Sequence, residues 1–378
     1  MTEWKTYRLG DICDYVTSRT ANIENYISTE NMLPNKGGVC TSSNAPSGAA
    51  VEYKVGDILI SNIRPYFQKI WQADCKGACS ADVLCIRANN KADSKYLYYL
   101  LSQQLFFDYV MAGAKGCKMP RGDKKQIMQW SISLPSLEEQ RRIAGILGAI
   151  DDKIENNRRI NANLESQAQA LYKQWFVDNR SDDWEEKQLS EIALHITDGV
   201  HNTVIDSPNG EYYLLSCKNI KSGQLLIGSN ERRIDRETFA KLRKRTRLSQ
   251  GDILVTSVGT VGEMYLVNES PTNYEFQRSV AIIKPNQDII SSYFLYAALL
   301  YQRNEIKHLA HGAVQQCIFI SDLKEYSFIV PNKNDISAFD EVVASMFNKI
   351  GELQKENEAL TTLRDTLLPK LMNGEIKL

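Results

Sequence analysis

Apolar positions recur at alternating spacings of four and three residues through two long stretches of the 378-residue chain. The first runs Ile143, Leu147, Ile150, Ile154, Asn157, Asn161, Leu164, Ala168, Leu171 and Trp175. The second runs Phe339, Val343, Met346, Ile350, Leu353, Asn357, Leu360, Leu367 and Leu371, and stops at Asn373-Gly374. That spacing is a heptad seam, one narrow apolar stripe offered to a partner helix. Ser136, with Glu139 three residues on, opens the first stretch as a capping box. Each stretch predicts a helix of about 40 residues, ~60 Å long at ~1.5 Å per residue. Neither helix can bury its stripe alone, so the two are expected to pack on each other. The order globule–helix–globule–helix closes most easily if they run antiparallel, with the globules at opposite ends. Asn161 and Asn357 fall at equivalent seam positions. Two readings stand for them: polar seam residues that fix register, or residues just off the seam in water.

The segments before the two helices repeat each other. Trp4-Lys5-Thr6-Tyr7-Arg8-Leu9-Gly10-Asp11-Ile12 is answered by Trp184-Glu185-Glu186-Lys187-Gln188-Leu189-Ser190-Glu191-Ile192. Gly56-Asp57-Ile58-Leu59-Ile60-Ser61 is answered by Gly251-Asp252-Ile253-Leu254-Val255-Thr256, and Leu134-Pro135 by Val330-Pro331. The Gly-Asp-Ile-Leu pieces read as a turn entering a buried strand, as do the short apolar runs Val83–Ile86 and Val280–Ile283. The Tyr/Leu-rich stretches near 95–110 and 291–307 have helical periodicity. Between these landmarks the halves diverge, so a framework is duplicated and its inserts are not. The fold class expected is α+β: two mixed α/β globules, residues 1–135 and 180–331, each followed by a long helix, 136–179 and 332–378. The helices form an antiparallel coiled coil in a pseudo-two-fold repeat.

Composition narrows the function. Charged residues make up 24% of the chain but the net charge is only -1. A non-specific DNA binder is strongly basic, so any DNA face here must be local or share its charge with partners. No run of about 18 apolar residues could span a membrane. The opening residues lack a signal-peptide pattern, so the cytoplasm is the expected compartment. Eight cysteines are then expected as reduced thiols. Cys75, Cys79 and Cys85 lack the CxxC spacing and the neighbouring histidine of a zinc site, and no metal is expected. The chain has no phosphate-binding GxxxxGK[ST] loop and no HExxH. It has no consecutive prolines, hence no Asn-Pro-Pro-aromatic motif of an amino-methyltransferase.

Two basic tracts could meet DNA. Lys115, Lys118, Arg121, Lys124 and Lys125 are interleaved with Gly113, Gly116 and Gly122, and glycine lets a backbone approach a phosphate. Arg232, Arg233, Arg236, Lys241, Arg243, Lys244, Arg245 and Arg247 crowd the second half, where a solvated charged face is the plain alternative. Candidates with the reach to touch base edges are Arg19, Arg64 and Lys69 in the first half, and Asn202, Arg278, Gln315 and Gln316 in the second.

The Trp-x-x-x-x-Leu-x-x-Ile openings, the Gly-Asp-Ile-Leu strands, the Leu-Pro and Val-Pro exits and the Pro135-to-Ile143 helix start together resemble the specificity subunits of type I restriction–modification enzymes. The resemblance spans essentially the whole chain. It implies that each globule is a target recognition domain for one half of a bipartite, asymmetric double-stranded DNA site. It implies that the paired helices space the half-sites and that the chain is not itself catalytic. The implied partners are two methyltransferase subunits, which use S-adenosylmethionine, and restriction subunits, which use ATP and Mg. The second helix start, Pro331 to Ile336, lacks the Glu-Glu-Gln-Arg signature of Glu138 to Arg141, so the two partner contacts are expected to differ. Two rivals stay open: the recognition half of a self-contained restriction or methylation enzyme, and a protein-only interaction scaffold.

Overall fold

A computed structural model describes residues 4–40, 48–201, 203–228, 230–312 and 316–378. The chain divides into two compact units, Met1–Glu155 with Glu358–Leu378, and Asn156–Asn357. Among the described residues no helix is long and apolar enough to cross a membrane.

In the first unit an antiparallel four-stranded sheet runs in the order Cys13–Tyr15, Val83–Ala88, Ile58–Ser61, Ile70–Gln72. Its central strands are covered on both faces, which is why Ile58–Ile60 reads as an unbroken apolar run. Ile58, Ile60, Leu84 and Ile86 face a core shared with Tyr96, Leu100, Phe106 and Ile143. Leu59, Val83 and Cys85 face a second sheet of Arg19–Thr20, Ala50–Tyr53 and Gly77–Cys79.

The second unit repeats the four-stranded sheet as Ala193–Asp198, Val280–Pro285, Ile253–Thr256, Met264–Leu266. Its other sheet differs. Arg233–Ile234, Tyr212–Leu215 and Tyr274–Phe276 lie side by side, and the last pair is a parallel ladder where the first unit has a single parallel bridge, Ile27 to Cys79. The duplicated part is thus the sheet that faces the helices, and the diverged part is the sheet beyond it. Both Tyr/Leu-rich stretches break into two helices, Ser94–Leu101 with Gln104–Ala112, and Ser292–Tyr301 with Arg303–His308. Ser102 closes the first helix by turning its hydroxyl back onto the Tyr98 carbonyl, 2.7 Å away.

The Gly-Asp motif has the same turn and the same serine bond in both units but pairs its carboxylate with a different cation. Gly56 and Gly251 turn at φ +90° and +88°, a left-handed conformation glycine adopts without strain. Their carbonyls accept from Ser94 Oγ at 2.6 Å and Ser292 Oγ at 2.7 Å. Asp57 accepts from the Lys54 amide and pairs with Arg87, while Asp252 accepts from the Ser249 amide and pairs with Lys284 at 2.6 Å. The Lys284 ammonium has three acceptors: Asp252, Ser249 Oγ and the Arg247 carbonyl. Its side chain is 16% exposed, against 39% for Arg87. Asp252→Ala leaves a largely buried ammonium with only neutral acceptors and should cost ~3–5 kcal/mol. Asp57→Ala should cost less, because Arg87 can reach water. Urea unfolding of the two variants checks the order, and equal losses would contradict it.

The first long helix is Leu137–Tyr172, prolonged by a π-helical turn at Lys173–Asp178, and the second is Lys333–Met372. Ser136 Oγ accepts from Glu139 N at 3.3 Å, and Asn332 caps the second helix by accepting from Asp335 N at 3.0 Å. In the first unit the opening of the first helix (Ile143, Ala144, Leu147) packs with the close of the second (Leu368, Leu371, Met372). Arg364 there reaches Asp151 at 2.8 Å. In the second unit the close of the first helix (Ala168, Tyr172, Phe176) packs with the opening of the second (Ile336, Phe339, Val343, Phe347). The helices therefore run antiparallel.

Of the seam positions, Ile143, Leu147, Ile154, Asn161, Val343, Leu353 and Leu371 are buried. Ile150, Leu164, Leu171, Met346, Ile350, Asn357, Leu360 and Leu367 are half-buried. Asn161 and Asn357 do not face each other. Asn157, fully buried, donates to Asn357 Oδ1 at 2.9 Å and to Glu356 at 2.8 Å. In an antiparallel pair related by a two-fold, equivalent residues face each other only at the axis, so the bonded partner comes from another position.

Gln140 of the Glu-Glu-Gln-Arg signature is also internal. It accepts from the Asp93 amide at 2.8 Å and donates to the carbonyls of Lys91 and Pro135. Ile336 stands at the matching place in the second helix, and there the Ser291 hydroxyl donates to Asp340 instead. Part of the signature's departure is thus a change of internal staple.

Candidate nucleic-acid interface

Three connections leave one end of the four-stranded sheet in the first unit. They are the loop after Ser61, the turn Ser80–Asp82 before Val83, and a hairpin from Lys115 to Arg121. Asn62 N donates to the Asp82 carbonyl at 2.9 Å, and Arg64 N to the Pro120 carbonyl at 2.8 Å. Lys115 and Arg121 exchange both backbone hydrogen bonds, and Ile63 bridges to Arg121. The Arg121 side chain reaches Asp82 at 3.2 Å, and Lys115 reaches Asp123 at 2.9 Å. The Lys115 ammonium and the amides of Gln126 and Lys125 hold the Asp123 carboxyl below its ordinary value.

The second unit carries the same three connections, nearly bond for bond. Ser257 N donates to the Ser279 carbonyl at 2.9 Å, and Gly259 N to the Gln316 carbonyl at 3.3 Å. His311 and Cys317 exchange both backbone bonds, and Val258 bridges to Cys317. The side chains are unlike. The turn Ser80-Ala81-Asp82 becomes Gln277-Arg278-Ser279, Arg64 becomes Gly259, and Lys115 and Arg121 become His311 and Cys317. A polar cavity of about 360 Å³ opens beside this turn, lined by His201, Thr203, Arg232, Gln277 and Arg278. His201 hydrogen-bonds Asp198 at 2.6 Å, and His311 bonds Asp322 at 3.0 Å. Among the described residues no group of three or more His, Cys, Asp or Glu side chains is placed to hold a metal ion.

A fixed backbone frame with interchangeable side chains suits a reader of base edges, since bidentate Arg, Gln and Asn contacts in a groove specify sequence. The sequence model of the type I restriction modification DNA specificity domain matches residues 1–166 and again 181–362. The chain belongs to that family. It is 28% identical over 303 residues to the MjaIX specificity subunit of Methanocaldococcus jannaschii, covering 75% of this chain and 69% of the relative. It is 27% identical over 465 residues to the HindI specificity subunit of Haemophilus influenzae, covering all of both. A crystal structure of a type I restriction-modification S subunit from M. genitalium shares the fold. Its TM-score is 0.56 at 18% identity, covering 98% of this chain and 96% of that one.

On the frame of this specificity family, Arg64, Lys115, Lys118 and Arg121 gather at the first unit's three connections, and Arg278 and Gln316 at the second's. Asn202 and Gln315 lie outside the described residues. Arg19 is one strand away from Cys79, with its Nη2 on the Ala49 carbonyl at 2.5 Å. Lys124 opens a short helix after the hairpin and is exposed. Lys69 is tied to the Thr29 carbonyl at 2.7 Å.

In the second basic tract Arg236, Lys241, Lys244, Arg245 and Arg247 are exposed and Arg232, Arg233 and Arg243 are half-buried, and several of them are held by partners within the protein. Arg243 is held by the fully buried Glu275 and the Tyr274 carbonyl, and burial pushes the Glu275 carboxyl up against the pull of that guanidinium. Arg245 binds the Gly199 carbonyl and Asp198, Arg232 binds Asp206, and Arg233 stacks over Tyr213. Lys244 is exposed, with no ion-pair partner among the described residues. Arg243 thus fastens the helix Arg236–Thr246 to the strand Tyr274–Phe276, and Arg245 ties it to the end of Ala193–Asp198. Gln277, Thr203, Tyr66, Phe67 and Met119 lie at or beside the same connections and were not among the sequence candidates. Only the position of the turns next to the Gly-Asp strands could have found them.

Proposed function

We propose that this chain is the non-catalytic specificity subunit of a type I restriction–modification complex. Each unit reads one half of a bipartite, asymmetric DNA site, and the paired helices set the spacing between half-sites. Two methyltransferase subunits using S-adenosylmethionine, and restriction subunits using ATP and Mg, supply the chemistry. One observation beyond family membership carries this reading. The three connections at one end of each four-stranded sheet keep their backbone bonds in both units, yet hold different side chains. Two equal frames with unlike surfaces suit two unlike half-sites.

The test is a map of methylated adenines in cells with and without the chain, together with DNA binding by the chain and its methyltransferase partners across a salt series. A single two-part, non-palindromic site that disappears with the chain is expected. Lys118→Ala should weaken binding to all sequences alike and lower the salt slope by about one. Methylation unchanged without the chain, or a palindromic site, would refute the reading.

A further inference from the structure

The first unit's DNA-side face has an apolar tip that nothing in the basic pattern requires. Tyr66 is 49% exposed, Phe67 37% and Met119 49%. Tyr66 and Phe67 lie with ring centroids 4.6 Å apart, and Met119 precedes Pro120, whose carbonyl accepts from Arg64. This loop is held stiffly. Arg64 and Gln68 flank it at φ +51° each, left-handed backbone that non-glycine residues adopt only under strain. Pro65 is buried beneath it. The Phe67 and Gln68 carbonyls accept from the Asn35 and Lys36 amides at 2.8 and 3.0 Å. Around the tip stand Arg64 and Lys118, with no ion-pair partner among the described residues, and the Lys115 and Arg121 ion pairs. Charge complementarity therefore points this apolar tip at a polyanion. The second unit has Gly259-Thr260-Val261-Gly262 at this place, with Val261 buried.

We propose that Tyr66, backed by Phe67 and Met119, is a stacking wedge that enters between two base pairs of the first unit's half-site. The partner is duplex DNA, and the inference rests on the specificity-subunit reading above. Rigid apolar side chains at a basic surface unstack and kink a duplex, and the cost depends on the step they open. The first unit then reads one step by its deformability, without a hydrogen bond to its bases, while the second unit reads by edge contacts alone. Flexible pyrimidine–purine steps are the expected occupants.

The test uses the full chain with its methyltransferase partners and a duplex library randomised in both half-sites. Wild type should select two half-sites. Tyr66→Ala should lose preference at one step of the first half-site only, with affinity about tenfold or more weaker, as loss of an aromatic stack on a base implies. Tyr66→Phe should restore both. With 2-aminopurine at that step, wild-type and Tyr66→Phe complexes should fluoresce more than the Tyr66→Ala complex. Tyr66→Ala with unchanged selection and unchanged fluorescence overturns the wedge and leaves the specificity reading standing. No sequence selection by wild type overturns both.

Discussion

A chain ending at Asn357 is expected to lose the first unit and keep the second. The segment Glu358–Leu378 belongs to the first unit although it lies more than 200 residues further along the chain. Leu368, Leu371 and Met372 are buried there against the same core as Leu9, Leu97, Ile143 and Leu147, and Gly374 lies against Trp4. Each such side chain stabilises by about 1.5–3 kcal/mol when buried. Three of them together approach the ~5–15 kcal/mol that hold a whole domain. Removing Arg364 would also take from Asp151 the guanidinium that bonds it at 2.8 Å, leaving the Tyr99 hydroxyl as its remaining hydrogen-bond partner among the described residues. The second unit draws its helical cover from Ala168 to Phe176 and Ile336 to Phe347, all of which remain. Hydrogen exchange of the truncated chain should show fast amides in Ile58–Ser61 and Val83–Ala88 and slow ones in Ile253–Thr256 and Val280–Pro285. Full protection of the first pair of strands would refute the dependence.

The elements easiest to read in the sequence were those whose burial is periodic. The heptad stripes place Ile143, Leu147, Val343 and Leu353 without tertiary knowledge, because a helix against a helix buries one face at a fixed period. The Gly-Asp-Ile-Leu strands were legible for a similar reason: both faces are covered, so the run is apolar throughout. The positions that escaped depend on two surfaces meeting. Phe347 lies off the seam and is buried because Tyr293 and Tyr296 of the globule pack on it. Gln140 reads as a solvent-facing residue but bonds the Asp93 amide and the Lys91 and Pro135 carbonyls inside the unit. Within the basic tract at 232–247, Arg243 answers Glu275, a carboxylate 32 residues away whose burial no local pattern announces. Charge in a sequence says nothing about whether its partner is a phosphate or a side chain. The repeat does fix where the connections next to the repeated strands lie, and those connections are where the two units keep one backbone frame and change its side chains.

That same repeat makes spacing the property most open to a direct change. Deleting one heptad, Ile154–Ile160, is expected to alter the recognised spacer without altering either half-site, and the register now says what must accompany it. Asn157 is bonded to Asn357, and six residues earlier on the first helix Asp151 meets Arg364, seven residues later on the second. The segment opposite Ile154–Ile160 is therefore Gln354–Leu360. A deletion in the first helix alone leaves Asn357 and Glu356 without Asn157 and sets the two stripes out of step. Deleting both heptads removes the polar pair together and keeps the remaining faces in phase, since seven residues are two turns of a coiled-coil helix. The paired helices become about 10.5 Å shorter at ~1.5 Å per residue, close to three base pairs at ~3.4 Å each. Three base pairs also turn the duplex by roughly 100° at about 10.5 base pairs per turn, so the shortened site presents one half-site out of phase. Methylation at the original spacing should be lost, and the sites still modified, weakly, should carry the same two half-sites about three base pairs closer. An unchanged spacer in the methylation map of the double deletion would show that the helices do not set the distance.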